Sequence, residues 1–383
     1  MLSFELTEEQ KILRDTVRDF AQNEIAPVAQ ELDEKEQFSV ELTKKMGELG
    51  LFGMFVSEEY GGTEMGYIAY VIAVEEIARV DGSHAATIAA GNSLGIGPIY
   101  YFGSEDQKKN YLPDLCEGNT LAGFGLTEPD AGSDAGGSKT TAVKDGDDWI
   151  INGSKIFITN AANPLSSVTV VQAVTGKNDK GRKEYSCFLV PADTPGLTAN
   201  EMHGKLMWRS SNTAELFFDD MRVPGNALLG KQGEGFHQML KTLDGGRLSI
   251  AAMGLGGAQG AYEKALAYSQ ERKQFGRPIC KNQAIAFKLA NMATQIEAAR
   301  NMLYKACWQR EQNMPFQKLA AMSKLFCSEI FKYVATEAVQ IHGGYGLMKE
   351  YDVERFFRDQ KLLEIGEGTS EIQRMVISRY IGC

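Results

Sequence analysis

Glu367 stands between two glycines in Glu364-Ile365-Gly366-Glu367-Gly368-Thr369-Ser370-Glu371, just ahead of a helix-like run. Gly366 and Gly368 remove side chains from both sides of the carboxylate, so backbone and ligand can approach it closely, and glycine takes the dihedrals a sharp turn needs. We place the chemistry here and expect Glu367 to face a ligand rather than to be packed away. Thr369 is positioned to cap the following helix: its hydroxyl accepts from first-turn N–H groups, and the dipole there favours nearby negative charge.

Other stretches hold residues fit for binding. Phe124-Gly125-Leu126-Thr127-Glu128-Pro129-Asp130-Ala131-Gly132-Ser133-Asp134 concentrates backbone amides, small residues and two hydroxyls. That composition can wrap a polar ligand, and it is also what turns use. No Walker loop is present, and no Gly-x-Gly follows a strand to open a helix, so a Rossmann nucleotide site is not expected. Glu271-Arg272-Lys273-Gln274-Phe275-Gly276 ends a long helical run, where cations suit the dipole and Gly276 suits the C′ position. The functional alternative is an Arg272 that reaches a phosphate and a Phe275 that covers an aromatic ring. Gln340-Ile341-His342-Gly343-Gly344-Tyr345-Gly346 is a second glycine-rich break after a helix. Leu243-Asp244-Gly245-Gly246-Arg247 precedes another helix, and either pairs an acid and a cation with a ligand or forms a turn. The four histidines are scattered, so we assign no metal site and no His-based triad.

The elements that must position these residues fall into three segments. The first is helical. Thr7-Glu8-Glu9-Gln10 and Ser104-Glu105-Asp106-Gln107 have the form of capping boxes, and Leu13, Val17 and Phe20 mark one buried stripe. That helix should stop near Pro27 or kink through it. Val40, Thr43, Met46 and Leu49 mark a second stripe, and Tyr67, Val71, Val74 and Ala78 a third, with Tyr60-Gly61-Gly62 between them. From about Leu121 the period changes from 3.6 to 2, and β-branched and aromatic residues become frequent. Asp145-Gly146 and Asn152-Gly153 suit the tight turns of a meander. Strands are expected until about Pro224 and Gly230, as a small barrel or sandwich. The last third is helical again, with bundle-length stretches at 248–272, 282–312 and 316–341. The expected class is α+β: a helical domain at 1–122, a β-domain at 123–232, and a four-helix-bundle domain at 233–383.

A net charge of −10 argues against nucleic-acid binding, which needs Lys and Arg to neutralise phosphates. Six cysteines, at 116, 187, 280, 307, 327 and 383, show no zinc or disulfide spacing and read as reduced thiols. Met1-Leu2-Ser3-Phe4-Glu5 lacks a basic, apolar leader, and nowhere do 18 apolar residues run together. No membrane insertion and a cytoplasmic setting are therefore expected.

In this order the segments resemble the acyl-CoA dehydrogenase family, nearest the short-chain, butyryl-CoA-type branch, over essentially the whole chain. The motifs that carry the resemblance lie at 125–134, Asn152-Gly153-Ser154-Lys155-Ile156-Phe157-Ile158-Thr159-Asn160, Arg272 to Gly276, Gln340 to Gly346, and Glu367-Gly368-Thr369. The resemblance implies a homotetramer with one FAD per subunit at a subunit contact. By it, Phe124, Leu126, Thr127 and Ser133 hold the flavin and acyl region, with Phe157 and Thr159 against the isoalloxazine. Arg272, Phe275, Gln283, Gln340 and Gly344 reach a neighbour's FAD, and Thr369 and Glu371 complete the chain's own cofactor site. Ser133, Asp244, Arg247 and Gly368 contact the CoA thioester. Glu367 takes the α-proton while a β-hydride moves to flavin N5. The Glu367 N–H and a ribityl hydroxyl steady the enolate oxygen, the product is a trans-2-enoyl-CoA, and electrons leave to an electron-transfer flavoprotein.

One residue departs from the pattern. The family most often places Tyr before the catalytic Glu, where this chain has Gly366, so a wider pocket for a branched, cyclic or aryl acyl group is expected. Trp208 is a candidate to fill part of that space. Glutaryl-type activity is not expected, because Ala89-Ala90-Gly91-Asn92-Ser93-Leu94 offers no arginine for a distal carboxylate. Two alternatives keep the resemblance: an enoyl-CoA reductase running in reverse, and a flavin-containing scaffold or DNA-associated relative without dehydrogenation.

Overall fold

The structure, a computed structural model, describes residues 5–383, so Met1–Phe4 of the N-terminal stretch read above lie outside it. Helices come first: α1 (Glu8–Phe20), α2 (Ala26–Lys35), α3 (Val40–Glu48), α4 (Gly66–Ala78), α5 (Gly82–Ala90), α6 (Gly97–Phe102) and α7 (Glu105–Cys116). Strands follow: β1 (Leu121–Gly125), β2 (Thr141–Asp145), β3 (Asp148–Thr159), β4 (Ser166–Lys177), β5 (Lys183–Pro191), β6 (Leu197–Glu201), β7 (Thr213–Val223) and β8 (Leu228–Leu229). Then come α8 (Gly235–Glu271), a hairpin of β9 (Lys273–Gln274) and β10 (Arg277–Pro278), and α9 (Gln283–Glu311), α10 (Gln317–His342), α11 (Val353–Leu363) and α12 (Ser370–Ile381).

Both capping boxes form, at Thr7 with Gln10 and at Ser104 with Gln107. The chain continues helically past Pro27. A π-helical turn at Ala21–Ile25 leads into α2 with the proline as its second residue, so the wider turn falls where the proline withholds an N–H. Leu49 falls just beyond α3 and is 38% exposed, so it drops out of its expected stripe. α4 has no stripe at all. Tyr67 and every residue from Ala69 to Ala78 are buried, because α1, α8 and α9 all pack on this helix. Its two buried acids are paired, Glu75 with Arg300 and Tyr304, and Glu76 with Arg18 and Arg79.

The strands form one sheet in the order β6-β7-β3-β2-β4-β5-β8, with β1 parallel to β4. β2 meets β4 through a single pair, Thr141 with Val174, and the sheet folds over there. Ile151, Leu216 and Phe218 of one half then face Val171, Phe188 and Val190 of the other in a core of their own. The alternate residues of β4 and β5, Val168, Val170, Cys187 and Leu189, point to the main helical core, so these two strands are buried on both faces. The hairpin turn expected at Asp145-Gly146 forms one residue on, as Gly146-Asp147 between the paired Asp145 and Asp148, with Gly146 at φ 63. Asn152-Gly153 is not a turn: β3 runs straight through it, with a bulge in the pairing to β7 between Ile151 and Gly153.

In the last third α10 packs on α8, α9, α11 and α12. α8 starts at Gly235, well before residue 248, so Asp244-Gly245-Gly246-Arg247 lies inside a helix instead of forming a turn ahead of one. Gly276 is not a helix cap either. α8 ends at Glu271, Arg272 is extended, and Phe275 (φ 53) with Gly276 (φ 75) makes the two-residue turn of the β9–β10 hairpin. Among the described residues no helix is long and apolar enough to cross a membrane. All six cysteines are unpaired, with Cys383 exposed.

Candidate active site

The stretch from Leu363 to Ser370 turns the chain from α11 into α12. Glu367 (φ 51) and Gly368 (φ 91) are consecutive left-handed residues, and for a glutamate that conformation costs about 1 kcal/mol or more. Contacts on all sides hold it. Gln373 Nε2 donates to the carbonyls of Glu367 (3.3 Å) and Gly368 (2.9 Å), and Lys324 Nζ of α10 donates to Gly368 O at 2.8 Å. Thr369 caps α12 as expected, its Oγ1 accepting from the Ile372 N–H at 3.2 Å. The Glu367 N–H donates to no carbonyl among the described residues.

The turn aims the Glu367 side chain at α8. A Cβ on Gly246 would lie 1.8 Å from Glu367 Oε2, so the carboxylate rests directly on the helix backbone. The residue is therefore partly buried, not open as its glycine neighbours suggested, and Oε2 is buried with no hydrogen-bond partner. Burial pushes its pKa up to about 7, with the charges of Lys324 and Arg247 opposing. One turn of α8 supplies the nearby pair: Arg247 Nη1 donates to Asp244 Oδ1 at 2.5 Å, and Arg247 Nε is buried without a partner. Burial raises Asp244 as well, against the pull of Arg247.

A second group forms where β1 runs into the 126–134 loop. Phe124 and Leu126 are buried, and Thr127 O accepts from the Ile156 N–H at 2.9 Å, which ties the loop to β3 beside Phe157 and Thr159. A buried ion pair clips it down. Glu128 Oε1 accepts from Lys155 Nζ (2.7 Å) and the Thr140 N–H (3.1 Å), while Lys155 Nζ also donates to Leu126 O (3.2 Å). Phe157 adopts φ 62 and leaves its ring 62% exposed. Ser133 is exposed on the outer part of the loop. Trp208 makes its contacts at Gly82 and Asp359, the latter accepting from the Trp208 N–H at 2.9 Å, which places it at α5 and α11 and not beside Gly366.

The third group lies far from Asp244 and Arg247 within one chain. Arg272 and Gly344 line a cleft of about 650 Å³ with Tyr268, His342 and Tyr345, and the Arg272 guanidinium sits 5.6 Å from the Tyr345 ring centre. Gln283, at the start of α9, and Gln340 are exposed, and Phe275 at the hairpin tip is 95% exposed. From Asp244 to Glu271 α8 is unbroken, about 40 Å at 1.5 Å per residue. The expected residues thus gather in separate places: Asp244, Arg247, Glu367, Gly368 and Thr369, with exposed Glu371 in the first turn of α12; the β1–β3 group; and the hairpin group. Sequence reasoning gave no role to Lys324, Gly246, Glu128 or Lys155. A lone lysine in a helix carries no local signal, although Glu128 and Lys155 do fall inside motifs already singled out.

Three sequence patterns match along the chain: the acyl-CoA dehydrogenase N-terminal domain at 7–119, middle domain at 123–221 and C-terminal domain at 233–382. The protein named probable acyl-CoA dehydrogenase YngJ of Bacillus subtilis is 53% identical over 380 residues, covering 99% of this chain and 100% of that protein. Among solved structures, butyryl-CoA dehydrogenase from Megasphaera elsdenii superimposes with a TM-score of 0.95 at 42% identity, covering 99% of this chain and 100% of that one. A glutaryl-CoA dehydrogenase of Mycobacterium smegmatis in complex with FADH2 follows with a TM-score of 0.93 at 33% identity, covering 98% and 95%.

Proposed function

The chain belongs to the acyl-CoA dehydrogenase family, and from that premise we propose that it is an FAD enzyme that converts an acyl-CoA thioester to its trans-2-enoyl-CoA, with Glu367 as the base. The observation that carries this reading is the Glu367 carboxylate itself. It is partly buried on Gly246, unpartnered at Oε2, and its proton affinity lies near neutrality. A base poised there is about half ionised at neutral pH and ionised above it, yet holds a proton strongly enough to take one from carbon.

The α-proton of a thioester is weakly acidic, so charge developing on the thioester oxygen must be met by a donor. The Glu367 N–H is free for that task, and a preorganised backbone donor in a site shielded from water is worth more than the same bond in solution. Asp244 and Arg247, fixed to each other on α8, hold the polar part of the thioester at the level of Glu367. When bound, FAD supplies the acceptor for the hydride that leaves the β-carbon. The residues present fit it. Arg272 has no carboxylate partner among the described residues and lines an open cleft beside Tyr345, an arrangement suited to a diphosphate and a ring, while Phe157 offers an exposed ring beside the amides of the 126–134 loop.

The length of α8 between Arg247 and Arg272 supports a cofactor shared between copies, since one chain cannot bring both ends to one dinucleotide. Phe275 (95% exposed) and Leu347 (73% exposed), next in sequence to the cleft residues Gln274 and Met348, support burial against a further subunit, and we read the assembly as a homotetramer in the cytoplasm, passing electrons to an electron-transfer flavoprotein. Arg272→Ala is expected to lower the FAD retained through gel filtration while leaving the rate per bound flavin near wild type. Unchanged flavin content would leave Arg272 as a plain surface cation.

Gly366 bears on the acyl group. Its φ is not left-handed, and a Cβ there would find nothing nearer than Leu362 O at 3.5 Å, so neither backbone nor packing requires glycine. The missing side chain is therefore space, which favours a branched, cyclic or aryl acyl group. Comparing kcat/KM across butyryl-CoA and such thioesters, with the enoyl product identified by its loss of two hydrogens, tests this. At least one bulkier thioester should exceed butyryl-CoA, and butyryl-CoA equal to or better than all of them would refute the wider pocket.

A further inference from the structure

Lys324 lies on the buried face of α10, with its side chain wholly excluded from solvent. Burying an ammonium is costly, and proteins normally offset it with a carboxylate in direct contact. Here no carboxylate lies within ion-pair distance among the described residues, and the one acceptor of Nζ is the carbonyl of Gly368 at 2.8 Å. That carbonyl belongs to the residue after the base, in the left-handed turn that points Glu367 at α8.

The charges around Glu367 leave Lys324 in a special position. From α8 comes Arg247, but its charge is matched by Asp244 at 2.5 Å. From α4 comes Tyr70, which is neutral. On the turn itself, Glu364 is paired with Lys332 and Lys361, and Glu371 is exposed. Of the two cations that act on the carboxylate, Lys324 and Arg247, Lys324 is the one with no carboxylate partner among the described residues.

We propose that Lys324 is a positioning residue for proton abstraction: its ammonium clamps the carbonyl that follows Glu367, and its charge keeps the neighbouring carboxylate ionised and ready before substrate enters. This rests on the reading of Glu367 as the base. Burial, with Arg247 beside it, lowers the lysine against the pull of Glu367, Glu364 and Glu371, and burial wins, bringing its pKa down to about 8. The clamp is then charged below about pH 8 and released above it.

The test is the rate of acyl-CoA-induced flavin bleaching against pH, measured anaerobically on holoenzyme for wild type, Lys324→Met, Lys324→Arg and Glu367→Gln. In Lys324→Met the acidic limb should move up by about one pH unit, a loss of about tenfold on that limb. In Lys324→Arg the acidic limb should return towards wild type and the alkaline limb near pH 8 should vanish, because a guanidinium stays charged throughout. Wild-type limbs in a flavin-replete Lys324→Met, or a persisting alkaline limb in Lys324→Arg, would overturn the proposal. Wild-type bleaching by Glu367→Gln would instead remove the base assignment, and this inference with it.

Discussion

Glu367→Gln is expected to slow acyl-CoA-induced flavin reduction by about 10⁴-fold, the upper part of what a positioned base supplies, while acyl-CoA and FAD still bind. Glutamine keeps the shape resting on Gly246 and loses only the basicity. A second effect should appear with it, in stability. The folded-state pKa of Glu367 is raised from an ordinary 4.5 to about 7, so folding penalises its ionised form. The penalty is fully present above pH 7 and fades as pH falls through 7 towards 4.5, where both folded and unfolded chains hold the proton. By linkage it reaches up to about 3 kcal/mol. Glu367→Gln should therefore melt higher than wild type at pH 8, and the gain should shrink by pH 5. Thermal unfolding at the two pH values, beside stopped-flow flavin absorbance, checks both parts. A variant that is inactive but gains nothing at pH 8 would show that the carboxylate is better solvated than its contacts with α8 indicate.

Gly246→Ala should separate rate from stability even more clearly. The added methyl would lie 1.8 Å from Glu367 Oε2, so the carboxylate must retreat by more than 1 Å to reach ordinary contact. Misplacement on that scale costs about 10²-fold in rate. The same substitution improves the helix, since alanine is favoured over glycine by about 1 kcal/mol in a helix interior. Because the atom that must move is the tip of a side chain, the fold can accommodate it. The expected variant melts at or above wild type, binds FAD, and reduces it slowly. Gly245→Ala is the matching control: its methyl would meet Arg310 Nη1 at 2.4 Å, a group held against the rings of Tyr67 and Phe316 that is not a reacting group, so stability should fall while the rate of the folded enzyme stays near wild type. Equal losses in both variants would point to a general disturbance of α8.

Much of this molecule can be read from its sequence where the signal is local. The capping boxes at Thr7 and Ser104 form because donor and acceptor lie three residues apart, and the change of period at Leu121 marks the sheet because alternation follows from the pleat. Glu367 was legible for the same reason, with Thr369 capping just behind it. Errors came where distant packing decides. Gly245 and Gly246 look like a break, yet α8 runs through them because Arg310 and Glu367 need the space their missing side chains leave. Asn152-Gly153 looks like a hairpin turn, yet pairing to both β2 and β7 holds it in strand as a bulge. Gly276 has the position of a helix C′ residue in sequence, yet it turns a hairpin. Lys324 is 43 residues from Glu367 in sequence, and only the folded chain shows its ammonium on Gly368.

The central claim, that this chain dehydrogenates an acyl-CoA from the Glu367 carboxylate, is tested most directly by anaerobic titration of the FAD-loaded wild-type protein with straight-chain, branched and cyclic acyl-CoAs, following flavin absorbance. The account predicts that at least one class bleaches the flavin within mixing time and that Glu367→Gln binds the same thioester without bleaching. A flavin that stays oxidised with every saturated thioester would contradict it.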